Sequence, residues 1–111
     1  MLLIKYNKDG LAYSDFNLEA DALKIYYKYL SKCGNPYDTD FMSIDVSTSN
    51  IITVFRMFVA EGTINHKRLS FEFDGEQFKL NELGNFEENP KSYLKNEIDT
   101  LFRILNANKK R

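Results

Sequence analysis

The chain has no tryptophan, one cysteine, one histidine and two prolines in 111 residues. Each shortage removes a class of function. A lone cysteine, Cys33, excludes an internal disulfide and fits a reducing compartment; on the apolar face of its helix it reads as a buried, inert thiol. A lone histidine, His66, leaves Ser-His-Asp, Cys-His and multi-histidine metal schemes with at most one member, and its loop setting predicts a solvent-facing ring. The spacings CxxC, HExxH and DxDxDG are absent, so no metal and no other cofactor is expected. The five glycines stand singly at turns and caps, which supplies neither a phosphate loop nor a dinucleotide fingerprint. No apolar run approaches the ~20 residues of a membrane span, and the opening MLLIKYNKDG is too short in apolar residues for a signal peptide. The expected location is cytoplasmic, away from the membrane.

Basic surplus is also lacking. Fifteen basic residues face sixteen acidic ones, for a formal net charge of −1, which argues against nucleic acid as the main partner. Lys67, Arg68 and the terminal Lys109-Lys110-Arg111 are the local exceptions, and residues 107–111 read as a disordered basic tail.

What remains is apolar and aromatic. A hydrophobic share of 43% and an aromatic share of 14%, all Tyr and Phe, suffice for a packed core in one domain spanning residues 1–111. Alternating Leu2, Ile4 and Tyr6, then Asp9-Gly10, predict a hairpin that returns over residues 11–16. Leu18, Ala22, Ile25, Tyr26, Tyr29, Leu30 and Cys33 make the stripe of an amphipathic helix, opposite Lys24, Lys28 and Lys32. Residues 41–46 read as an inner strand. Leu69, Phe71 and Phe73, the turn Asp74-Gly75, then Phe78 and Leu80 predict a second hairpin. A last helix opens at Asn89-Pro90 and carries Leu94, Ile98, Leu101, Phe102 and Leu105. The expected architecture is α/β: a mixed sheet of about five strands with three helices in the order ββαβαββα. An α+β two-layer sandwich is the alternative.

The segment MSIDVSTSNIITVFRMFVAEG, residues 42–62, is the most informative. A short strand runs into Ser47, Thr48, Ser49 and Asn50, and then into a helix apolar on nearly every side. Small polar residues at a strand's carboxyl end are where α/β sheets place phosphate sites. The same residues are also the ordinary chemistry of a helix cap, which is the reading preferred here. Among the acids, Asp38 and Asp40 read as turn formers, and Asp45 as a residue on the wet side of its strand, since Met42, Ile44 and Val46 take the other face.

Beyond local chemistry, VSTSNIITVFRMFVAEGTINHKRLSFEF followed by QFKLNELGNFEENPKSY resembles the carboxyl-terminal lobe of RecF/SMC-like ABC-type ATPases of bacterial defence systems. The likeness covers roughly residues 41–105 and places Ser47-Thr48-Ser49-Asn50 at the family's switch, Ala60-Glu61-Gly62 at its helix end, and Asn81 to Phe86 with Pro90 at its later segment. It implies that residues 41–46 form a central strand parallel to residues 2–6. The departures matter more. Ser49 stands where the family has its switch histidine; the first strand lacks the acidic Walker B pair; the P-loop and signature segment are missing.

The functional expectation follows from these losses. The chain reads as a non-catalytic protein-binding module, an accessory or regulatory protein of a phage–host or toxin–antidote setting, with another protein as partner. Tyr13, Tyr27 and Tyr37 fall off the core stripes and are the candidate interface aromatics. The alternative is a phosphate- or nucleotide-binding lobe without hydrolysis, with the anion on Ser47, Thr48, Ser49 and Asn50.

Overall fold

The computed structural model describes residues 1–33, 41–91 and 93. Over these the chain forms β1 (Leu2–Leu11), α1 (Leu18–Cys33), β2 (Met42–Val46), α2 (Ser49–Ala60), a 3₁₀ turn (His66–Arg68), β3 (Leu69–Phe73) and β4 (Glu76–Phe78). The strands make one mixed sheet in the order β2-β1-β3-β4. β1 pairs parallel with β2 and β3, and β4 returns antiparallel on β3. The α/β class holds, while the counts differ: among the described residues there are four strands and two α-helices. The last predicted helix lies outside them apart from its start at Asn89, Pro90 and Lys91 and apart from Tyr93; Tyr37, Asp38, Asp40 and the basic tail lie outside them too.

The expected first hairpin does not form. Tyr6 and Leu11 both pair with Val46, so β1 is one strand with an irregular stretch over residues 7–10. Gly10 is the reason. A Cβ there would stand 2.6 Å from the backbone nitrogen and carbonyl carbon of Val46. Its glycine therefore serves a close approach of two backbones, not a hairpin turn. The Ser47 N–H then donates to the Leu11 carbonyl at 2.9 Å, which holds the end of β1 against β2.

Nor is the strand over residues 41–46 an inner one. β2 lies at the sheet edge, with Phe41 66% exposed just before it, and β1 takes the centre. The burial patterns explain the exchange. Leu2, Leu3 and Ile4 are buried in succession, as in a strand covered on both faces, whereas β2 alternates with Ser43 and Asp45 exposed.

Parallel register sorts the sheet into two faces. Leu2, Ile4 and Tyr6 align with Met42, Ile44 and Val46 and with Leu69, Phe71 and Phe73. The other face carries Lys5, Asp45 and Glu72 in one row. The apolar side belongs to the single core, together with Ala22, Tyr26 and Tyr29 of α1 and Ile51, Ile52, Phe55, Phe58 and Val59 of α2. α1 and α2 pack against each other, and Lys24, Lys28 and Lys32 are exposed, as the periodicity requires.

The second hairpin forms at the expected turn, but its second strand is shorter than expected: β4 ends at Phe78, and Leu80 instead bridges to Phe86. Asp74 (φ 52) and Gly75 (φ 84) both occupy the left-handed region, the conformation a two-residue turn needs to match strand twist. Phe71, Phe73, Phe78, Phe86 and Tyr93 then pack ring on ring, with most pairs near edge-to-face and centroids 5.3–6.5 Å apart. His66 departs from its expected solvent-facing role. The ring is half-buried, and Nδ1 lies 3.0 Å from the Leu80 carbonyl oxygen, so the Nδ1–H tautomer donates there.

Candidate functional site

Three features meet at the carboxyl end of the parallel strands. The first is the loop before α2. Thr48 occupies the cap position in extended backbone (φ −104, ψ 111), yet its side chain makes no capping bond. The Thr48 Oγ1 instead accepts the Tyr13 backbone N–H at 2.9 Å. Asn50 Nδ2 donates to Asp15 Oδ1 at 3.2 Å. The connection between β1 and α1 thus lies across the start of α2 and brings a carboxylate to its first turn, where the helix dipole favours negative charge. Ser47 lies beside this crossing, and Ser49 opens the helix.

The second feature is a crevice of about 470 Å³ lined by Tyr6, Asn7, Lys8, Ser47, Glu72 and Asp74. It lies where the ends of β1 and β3 meet, the point at which the chain switches direction across an open sheet. Among the described residues no three His, Cys, Asp or Glu side chains stand close enough to hold a metal ion. The crevice brings together two carboxylates, an ammonium group and the hydroxyls of Tyr6 and Ser47.

The third is a groove of about 650 Å³ between the start of α1 and the middle of α2. Phe16, Leu18, Ala20, Leu23 and Val54 supply its apolar surface, and Asp15, Asn17 and Glu19 its polar surface. Phe16 is 95% exposed, the most exposed of the large apolar side chains described. Local sequence explains its position. Ser14 closes a turn by accepting the Phe16 N–H at its hydroxyl and the Asn17 N–H at its carbonyl, and the Asn17 carbonyl takes the first helical bond, from the Asp21 N–H. Phe16 is the residue that normally staples onto the fourth helical position, but Asp21 stands there and offers no apolar contact. That mismatch is a signal in the sequence that the periodicity reading passed over.

The candidate interface tyrosines part company. Tyr27 projects from α1, 59% exposed, with its ring 6.2 Å from Tyr26. It lies one helical turn beyond Leu23 and does not line the groove. Tyr13 is half-buried against the core. Burial, with a smaller push from the Asp21 carboxylate, raises its phenol above the ordinary value. Tyr26 is raised by burial too, against a lowering by Arg68.

A further cluster is built around Thr53 and Arg56 of α2, two polar residues in its otherwise apolar stretch from Ile51 to Ala60. Arg56 donates from Nε to the Gly84 carbonyl at 2.8 Å and from Nη1 to the Tyr93 hydroxyl at 3.0 Å. Its guanidinium lies 5.2 Å from the Phe86 ring centre and 5.4 Å from that of Tyr93. Thr53 Oγ1 meets the same Tyr93 hydroxyl at 2.6 Å. These bonds fasten the segment from Asn81 to Tyr93 onto α2, which is an architectural task. The chain matches no protein-family profile, and searches of curated proteins and of solved structures find no match either.

Proposed function

We propose that this chain is a non-catalytic protein-binding module that receives a segment of another protein in the groove between α1 and α2. One observation carries the reading: Phe16, a large apolar side chain, stands almost wholly in solvent beside Leu18, Leu23 and Val54. Leaving such a ring exposed forgoes roughly 2 kcal/mol of burial, and an exposed aromatic beside part-exposed apolar side chains is the kind of anchor that interfaces use. The role in view is that of an accessory or regulator in a phage–host or toxin–antidote setting. The parallel pairing of β1 and β2 agrees with the expected likeness to an ATPase lobe, whereas the edge position of β2 does not.

A photocrosslinking amino acid at position 16 or 23, with position 79 as an exposed control remote from the groove, tests the reading in cells that naturally make the chain. One discrete adduct from 16 and 23 and none from 79 is the expected result. Equal labelling at all three positions, or none, defeats it.

The alternative, a phosphate or nucleotide on Ser47, Thr48, Ser49 and Asn50, has less support. The first turn of α2 already holds the Asp15 carboxylate through Asn50, and the Thr48 hydroxyl serves Tyr13. A thermal-shift screen with ATP, GTP and inorganic phosphate separates the two readings, with stabilisation expected from none.

A further inference from the structure

Charge around the groove says which kind of segment fits it. Between residues 15 and 21 the chain carries Asp15, Glu19 and Asp21 and no basic residue. Asp15 and Glu19 line the groove itself, beside Phe16, Leu23 and Val54. Glu19 is exposed, and Asp15 keeps an oxygen beyond the one that accepts from Asn50. An occupant therefore meets apolar surface at the centre and negative charge at the end of the groove near Phe16.

We infer that the partner segment is an amphipathic peptide whose Leu, Phe or Met side chains fill the groove while a Lys or Arg at one end faces Asp15 and Glu19. This rests on the protein-binding reading and adds the partner's chemistry and its direction along α1. Apolar anchors supply most of the affinity in such an interface, whereas rim charges set orientation and exclude partners of the wrong sign.

The test selects random 12-residue peptides displayed on phage against the full chain, with counter-selection on the Phe16→Ser variant. The affinity of each enriched peptide is then read by fluorescence polarisation. Enriched peptides are expected to combine apolar anchors with Lys or Arg at one end. Phe16→Ser should weaken binding roughly 30-fold, the loss typical of an anchor residue. Glu19→Lys should weaken it about 2- to 5-fold, the range of an exposed pair, and a peptide with Glu in place of its Lys should recover that loss on the Glu19→Lys chain.

The groove and the partner's chemistry are tested separately. Peptides that need Phe16 but show no basic bias and ignore Glu19→Lys overturn the partner chemistry and leave the groove standing. Absence of any peptide that distinguishes the wild-type chain from Phe16→Ser overturns both. Self-association in sedimentation that vanishes with Phe16→Ser assigns the groove to a second copy and likewise overturns the inference, as does competition by a peptide ending in Lys109-Lys110-Arg111 that matches the best selected binder.

Discussion

Arg56 and Gly84 hold each other in place. The Arg56 side chain donates to the Gly84 carbonyl at 2.8 Å, and a Cβ on Gly84 would run into the backbone carbonyl oxygen of Arg56. Gly84 also has φ +80, a conformation other residues adopt at a cost. The pair explains how a loop with exposed Leu83 and Asn85 stays docked while Phe86 enters the core. Asn81 completes the turn, its Oδ1 accepting the N–H groups of Leu83 and Asn85 at 2.9 and 3.1 Å.

From this relationship, Gly84→Ala is expected to lower stability by about 2–4 kcal/mol, from backbone strain plus the clash. Arg56→Ala should cost about 2–3 kcal/mol through lost charged hydrogen bonds and ring contacts. Arg56→Lys should fall between wild type and Arg56→Ala, because an ammonium cannot reproduce the guanidinium's several directed donors. Urea unfolding midpoints measure all three.

Glycines that look alike in sequence should separate sharply. Gly10→Ala forces a Cβ to within 2.6 Å of the Val46 backbone and is expected to cost about 2–3 kcal/mol. Gly62→Ala meets nothing within 4 Å, so only the strain of φ +81 remains, about 1 kcal/mol. Equal losses would mean that β1 and β2 are not in close approach at Gly10.

Replacing Thr48 tests the crossing of the β1–α1 connection over α2. Thr48→Val removes the acceptor of the part-buried Tyr13 N–H and should cost about 1 kcal/mol, while Thr48→Ser should cost much less. An equal loss for both variants, in thermal or urea unfolding, would place the effect in the methyl group and not in the hydrogen bond.

Stability should decline in alkali in a definite way. The phenols of Tyr13 and Tyr26 are raised in the folded chain, chiefly by burial. A raised folded value means that the native state holds its proton more tightly than the unfolded one. The resulting stabilisation is fully present below the ordinary tyrosine value near 10 and is lost as pH climbs through the folded value. Urea midpoints at pH 9 and pH 11 should therefore differ, and the double variant Tyr13→Phe, Tyr26→Phe should show a smaller fall.

Phe16→Ser should leave the fold unharmed. With 95% of the residue exposed, its removal is expected to shift stability by no more than about 0.5 kcal/mol. Circular dichroism and a melting curve overlaying those of wild type would confirm that any loss of binding by this variant reflects the groove itself.

Much of this architecture was legible in the residues alone. The stripe of α1, the apolar ring of α2 and the hairpin at Asp74-Gly75 follow from helical and strand periodicity and from turn chemistry. These are local properties, decided within a few residues. Alternation also placed Asp45 and Ser43 on the wet face correctly, since side chains in a strand change sides at every step. Asp9-Gly10 misled because the same dipeptide serves a turn or a close approach, and only a partner strand distinguishes them. Phe16 was expected in the return strand over residues 11–16; once Asp9-Gly10 makes no turn, that strand is lost and Phe16 becomes the residue before the cap of α1.

The sequence by itself thus determined the elements and which side of each is apolar, because those depend on neighbours along the chain. Tertiary structure alone decided that β1 is the central strand and β2 the edge, since strand order depends on pairings between distant residues. It also made Arg56 the clamp on Gly84, and it set Asp15, Phe16 and Val54 around one groove. Those juxtapositions bring together parts of the chain roughly 30 to 40 residues apart, and no local pattern encodes them.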